Sequence, residues 1–208
     1  MGYCNLSSTT KQSRAQAIIG AIGSAGLMNF YTGSYPASPD IPTTGILLAS
    51  LPLSSPCGVA SLAVQSGVVT SPGTGGTNGV YTLTITGGGG TGAQGTFTVA
   101  GGLLSIITIT NNGSGYTSVP TLSGFATAGL SGATATGVMT GVIVFNTIST
   151  ASGLVTGTAG FVRIVTSGSV PIMDLDVGTT NASSVIMNNT FINQGGSVSC
   201  TAQILIEA

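Results

Sequence analysis

Gly90, Gly92 and Gly95 spell a literal G-x-G-x-x-G inside "YTLTITGGGGTGAQGTFTV", residues 81–99. In a dinucleotide fold such glycines open a helix whose N-terminus receives a pyrophosphate, and an acidic residue follows about 20 positions later. Here the glycines run into Thr96-Phe97-Thr98-Val99, the period-two alternation of a strand. The acids of the chain are Asp40, Asp174, Asp176 and Glu207, none at the required distance. The stretch therefore predicts a glycine loop joining two strands, with no nucleotide cofactor.

Asp174 and Asp176 are the one close pair of acids, two apart and so on one face of a strand. A calcium ion needs six to eight oxygens, which a wrapping loop supplies and a strand does not. A glycosidase pair would need opposed carboxylates, and the chain has no tryptophan to form a sugar platform. Serines are abundant, but with no histidine there is no Ser-His couple to activate one. Neither a catalytic residue nor a bound metal is expected. Tyr31, Tyr35, Tyr81 and Tyr116 remain as aromatic groups for surface contact, Tyr81 and Tyr116 foremost, with capping of strand ends as the plainer role. Cys4, Cys57 and Cys200 form no short-spaced set and are odd in number, which predicts reduced thiols. Cys200 shares a strand face with Val198, Ala202, Ile204 and Ile206 and reads as core.

Few residues could charge the surface that carries these groups. Lys11, Arg14 and Arg163 are the whole basic set, and 3 % of the 208 residues are charged. Three cations neutralise too few phosphates for nucleic-acid binding. At 42 % hydrophobic the chain does not match the charged signature of disorder. A soluble monomer normally carries about 25–35 % charged residues on its surface. A formal net charge of −1 gives little repulsion between copies, so much of the outer face is expected to be covered. That predicts a homo-oligomer, a trimer by preference.

The stretch "KQSRAQAIIGAIGSAG" imitates a signal peptide, but its apolar run is too short and too broken by glycine for an h-region or a membrane span. It predicts instead one helix over about 9–25, capped by Ser13 or an earlier Ser/Thr. Ala17, Ile18, Ala21 and Ile22 would form its apolar stripe, and Gly23 or Gly26 would end it. Strand-like runs follow at "LMNFYTG", "GILLASLPLSS", "GVIVFNTIS", "TAGFVRIVTS", "VPIMDLDVG", "SSVIMNNTFI" and "VSCTAQILIEA". From about Gly58 glycine becomes dense, and "GVYTLTITGGGGTGAQGTFTV" is echoed by "SGYTSVPTLSGFATAGLSGATATGV". The prediction is a discontinuous β-sandwich of residues 1–57 and 138–208, interrupted by a two-repeat Gly-rich β-module at 58–137.

The outer segments "RAQAIIGAIGSAGLMNFYTGSYPAS", "GILLASLPLSS", "GTAGFVRIVTSGSVPIMDLDVGT" and "SVIMNNTFINQGGSVSCTAQILIEA" resemble a family of small tailed-bacteriophage virion proteins. In that family an N-terminal helix precedes a jelly-roll-like sandwich. The middle, with "ITITNNGSGYTSVPTLSG", resembles Gly-rich modules that recur in phage tail and surface proteins. The resemblance implies a virion part without enzymatic activity, made in the cytoplasm of a bacterial host. It would be a capsid decoration (cement) protein held on the major capsid protein. The alternative is a tail or fibre component whose insert contacts a host glycan or protein. The insert is not general to the outer family.

In "GFVRIVTSGSVPIMDLDVG" parity decides a hairpin register. Val162 and Ile164 must face the core with Met173, Leu175 and Val177, whereas Arg163, Asp174 and Asp176 face away. A two-residue turn at Gly168-Ser169 pairs Ser167 with Val170, Ile164 with Met173 and Val162 with Leu175. Arg163 then stands opposite Asp174, held by it or diagonally by Asp176.

Overall fold

A computed structural model describes residues 6–180 and 182–206, with side chains through 204. Cys4 and Glu207 lie outside the described residues, as does the side chain of Ile206. The protein is mainly β, with one α-helix, α1 (Ser8–Ile22). It is followed by β1 (Leu27–Tyr31), β2 (Leu47–Pro52), β3 (Gly58–Thr74), β4 (Gly79–Thr86), β5 (Thr91–Ala100) and β6 (Leu103–Ser114). After β7 (Thr121–Ser123) and a 3-10 turn (Phe125–Ala128) come β8 (Ser131–Phe145), β9 (Ala151–Ser152), β10 (Gly157–Thr158) and β11 (Phe161–Val165). The chain then forms β12 (Pro171–Gly178), β13 (Val185–Ile186), β14 (Phe191–Ile192), β15 (Ser197–Val198) and β16 (Thr201–Ile206).

Ser7 caps the helix, its Oγ accepting from Thr10 N at 3.2 Å. Gly23 ends it, adopting a φ of 76° and donating its N–H to Ile19 O at 3.2 Å. The buried stripe shares only Ile22 with the expected one. Ala17 and Ala21 are exposed, and the buried positions are Lys11, Ala15, Ile19 and Ile22. Exposing an alanine forfeits little apolar area, so the heavier Ile19 and Ile22 set the rotation of the helix.

Two compact units divide the chain near 60/61 and 142/143, boundaries that fall inside the long strands β3 and β8. One unit comprises residues 15–60 and 143–204. Its sheet runs β2-β1-β11-β12-β13-β16, antiparallel except where β12 and β13 pair in parallel. Two small ribbons, β10-β14 and β15-β9, complete it. Met28, Phe30, Leu48, Leu51, Phe161 and Ile164 are fully buried there.

The other unit comprises residues 61–142 with the N-terminal stretch through Arg14 and the C-terminal stretch from Leu205. Its strands follow the order β8-β7-β4-β5-β6, and β3 pairs with β8. Leu62 and Tyr116 exchange backbone hydrogen bonds at 3.3 and 3.2 Å, bringing the start of β3 back against the chain leaving β6. Leu83, Phe97, Leu104, Leu122, Phe125 and Leu130 fill the interior. Thr82, Thr96 and Thr108 stand in register across β4, β5 and β6 on the opposite face. Their methyls suit a pleated sheet while their hydroxyls keep it wet. Gly87–Gly90 is the loop from β4 to β5, so strand and not helix follows the glycines.

The two echoing stretches fold differently. The first is the β4-β5 hairpin, whereas the second is broken after Tyr116 into short β7, the 3-10 turn and β8. Pro120 has no N–H for a ladder, and Gly124 at a φ of 99° turns the chain before β8.

Candidate functional site

The charged residues expected on one strand face are brought together, but not in water. Ser50, Asn29, Arg163 and Asp174 form one polar row in register across β2, β1, β11 and β12. Arg163 Nε donates to Asp174 Oδ1 and Nη2 to Asp174 Oδ2, both at 2.7 Å, a bidentate fork. Nη1 donates to the Ile41 carbonyl at 3.0 Å, so the loop between β1 and β2 lies over the guanidinium. Both side chains of the pair are only 4 % exposed. Every residue of β11 is buried, which means that the sheet is covered on both faces there. Alternation correctly separated Arg163 from Val162 and Ile164, but the second face proves to be interior. The hydrogen bonds from Arg163 to Asp174 raise the guanidinium pKa above its ordinary value.

Asp176 does not join this pair. It sits opposite Phe161, is exposed, and accepts from Ser184 Oγ at 2.6 Å and Ser184 N at 3.2 Å, closing the turn before β13. Among the described residues no group of three or more His, Cys, Asp or Glu is placed to hold a metal ion.

The hairpin register holds at Val162↔Leu175, Arg163↔Asp174 and Ile164↔Met173, but the turn is longer than expected. Thr166 N donates to Val170 O at 2.9 Å and Ser169 N to Thr166 O at 3.0 Å, enclosing Ser167-Gly168-Ser169, with Ser169 at a φ of 62°. A three-residue loop alone would slip the pairing by one. A bulge that leaves Ile172 unpaired, between Val165↔Pro171 and Ile164↔Met173, restores it.

Tyr116 is not available for surface contact. It is 3 % exposed and packs with Leu62, Val64 and Met139. Tyr81 is half-buried, stacks on Phe97 at 5.4 Å between ring centroids, and donates its hydroxyl to Thr77 O at 3.0 Å. Tyr81 follows the parity of inward-facing Leu83 on β4, and Tyr116 is drawn inward after β6 by its bridge to Leu62. In the other unit Tyr31 stacks on Phe161 at 5.3 Å, while Tyr35 stays 54 % exposed beside the same ring.

Cys57 is fully buried, and Cys200 Sγ lies 3.5 Å from Met28 Sδ. Burial pushes both thiols up, Cys200 to about 12, so neither is a thiolate nucleophile at neutral pH. Lys11 is 4 % exposed and donates Nζ to Met139 O at 2.9 Å. Its neighbour Gly141 would be the sequence's one signal for this, since a Cβ there would overlap the Lys11 carbonyl. A groove of about 450 Å³ between β7, the 3-10 turn and β8 is floored by Leu122, Phe125 and Leu130 and has no titratable group in its lining.

No family model, curated protein or solved structure matches this chain. No helix among the described residues is long and apolar enough to cross a membrane.

With Lys11, Arg163 and Asp174 buried, the charges exposed among the described residues are Arg14, Asp40 and Asp176. Both units leave large apolar side chains about half exposed or more: Tyr35, Ile41, Ile46, Leu154, Val170 and Phe191 in one, and Val68, Val80, Leu103, Ile106 and Val119 in the other, where they stand beside the row of threonines.

Proposed function

We propose that this chain is a structural protein of a bacteriophage particle, a capsid decoration protein that docks on the capsid surface as a homo-oligomer, a trimer. The observation that supports this reading most is the near-uncharged exterior. A surface with three exposed charges among the described residues, and with Tyr35, Ile41 and Ile46 open to solvent, suits a protein whose outer face is covered by copies or by a lattice. The resemblance of the outer segments to small phage virion proteins gives the particle, and a jelly-roll-like plan of the unit 15–60/143–204 belongs to the same proposal. No reaction is assigned: among the described residues, Arg163 and Asp174 are engaged in their own fork. On this reading the jelly-roll-like unit docks, and the Gly-rich module projects or bridges to neighbouring copies. Mass spectrometry of heads and tails separated from purified particles tests the assignment. Recovery in the head fraction, with a trimer by size-exclusion chromatography and light scattering, is the expected result. Recovery in tails alone would overturn it.

A further inference from the structure

A second concavity lies within the unit 15–60/143–204, framed by residues 187–199, with a volume of about 180 Å³. A single water needs only about 10–15 Å³ of such space, so the site has room for a small ring. Its floor is apolar and firmly seated, since Met187, Ile192 and Val198 are 5 %, 3 % and 4 % exposed. Its rim is amide and hydroxyl, from Asn188, Asn193, Ser197 and Ser199, all exposed. Phe191 stands on the rim with 47 % of its surface open.

The frame is built rather than loose. Gly153 N donates to Gly196 O and Gly195 N to Gly153 O, both at 2.8 Å, and Gln194 N donates to Thr156 Oγ1 at 3.0 Å. Asn189 Oδ1 accepts from Phe191 N at 2.9 Å, which fixes the backbone under the aromatic ring. The side-chain amides of Asn188 and Asn193, by contrast, have no protein partner among the described residues. Each therefore offers a donor pair and an acceptor to something else, from a backbone held by these bonds.

We propose that this concavity binds one neutral sugar residue of a glycan. A sugar ring presents vicinal hydroxyls, each both donor and acceptor, which match the two faces of a primary amide. Its C–H face is apolar and packs on an aromatic ring such as Phe191, with the apolar floor beneath. No charged residue lines the site, so a phosphate, a carboxylate or a charged sugar would lose its hydration without a counter-ion. The inference does not rest on a place in a virion, because the purified chain is tested alone.

Saturation-transfer NMR with a panel of methyl glycosides of neutral hexoses and N-acetylhexosamines, and a sialoside as the charged contrast, is the test. Transfer to at least one neutral glycoside is expected, strongest at protons on one ring face. Titration should show affinity falling about tenfold or more in Phe191→Ala and in Asn193→Ala, and unchanged in Val80→Ala, an exposed site of the other unit. Circular dichroism and the thermal midpoint establish that each variant is folded. Absence of transfer from every neutral glycoside, binding confined to the sialoside, or binding that survives both substitutions would overturn the proposal.

Discussion

Arg163 and Asp174 show how a pair of surface-type residues becomes part of an interior. Each is 4 % exposed, and each satisfies the other through two hydrogen bonds of 2.7 Å. Removing one partner strands a desolvated charge, which typically costs about 3–5 kcal/mol, far above the about 0–1 kcal/mol of a solvent-exposed pair. Asp174→Ala should therefore lower the urea midpoint steeply, whereas Arg163→Met with Asp174→Leu should recover most of the loss. A single-variant loss under about 1 kcal/mol would place the pair in water instead. The buried thiols give a second prediction, in the alkaline range. Cys200 titrates at about 12 in the folded chain against an ordinary 9.0, because burial disfavours the thiolate. Above pH 9.0 the unfolded chain loses this proton while the folded chain keeps it, so stability falls between pH 9.0 and about 12 and is untouched below. Denaturant titrations across that window should show a shallower alkaline decline in Cys200→Ala than in the natural chain.

Glycine acts in this fold through close approach as much as through turning. At Gly90 the loop after β4 passes so near Tyr116 that a Cβ would overlap the ring. Tyr116 is itself buried against Leu62 and Met139 and cannot give way. Gly90→Ala should therefore destabilise by about 1–3 kcal/mol, the usual cost of overpacking. Gly20, in the exposed face of α1, has nothing within 4 Å of the added carbon. Gly20→Ala should raise stability by about 0.5–1 kcal/mol through helix propensity alone. Thermal melts of the two variants in parallel check both signs, and equal shifts would refute the steric account.

The chain passes between the two units within α1, β3, β8 and β16, and the crossings in β3 and β8 bracket a segment that can be replaced. In the unit 15–60/143–204 the strand entering at Gly58 and the one leaving at Phe145 lie side by side, since Asn146 N donates to Cys57 O at 3.0 Å. Replacing residues 61–142 by a two-residue Asn-Gly turn should leave a cooperative melt, because the β2-β1-β11-β12 pairings are all retained. Lys11 loses its acceptor Met139 O in that protein, so Lys11→Ser is added to avoid a stranded ammonium. Calorimetry decides the matter, and a broad, non-cooperative trace would mean that 61–142 is needed for folding of the rest.

Sequence alone was sufficient where the physics is local. Period-two alternation placed β1, β2, β11 and β12, and parity put Arg163 opposite Asp174. Glycine and serine punctuation marked the single helix and the loop at Gly87–Gly90. What parity cannot say is what covers a strand's second face. That depended on the loop carrying Ile41, more than a hundred residues from Arg163, and it turned a solvated pair into a buried one. The burial of Lys11 and of Tyr116 was likewise set by partners distant in sequence, Met139 and Leu62, whereas the bulge at Ile172 answers the local three-residue turn. The cavity at 187–199 was invisible for the same reason: its residues read as two strand-like runs around a glycine turn, and only their tethering to 153–159 makes a concavity with free amides.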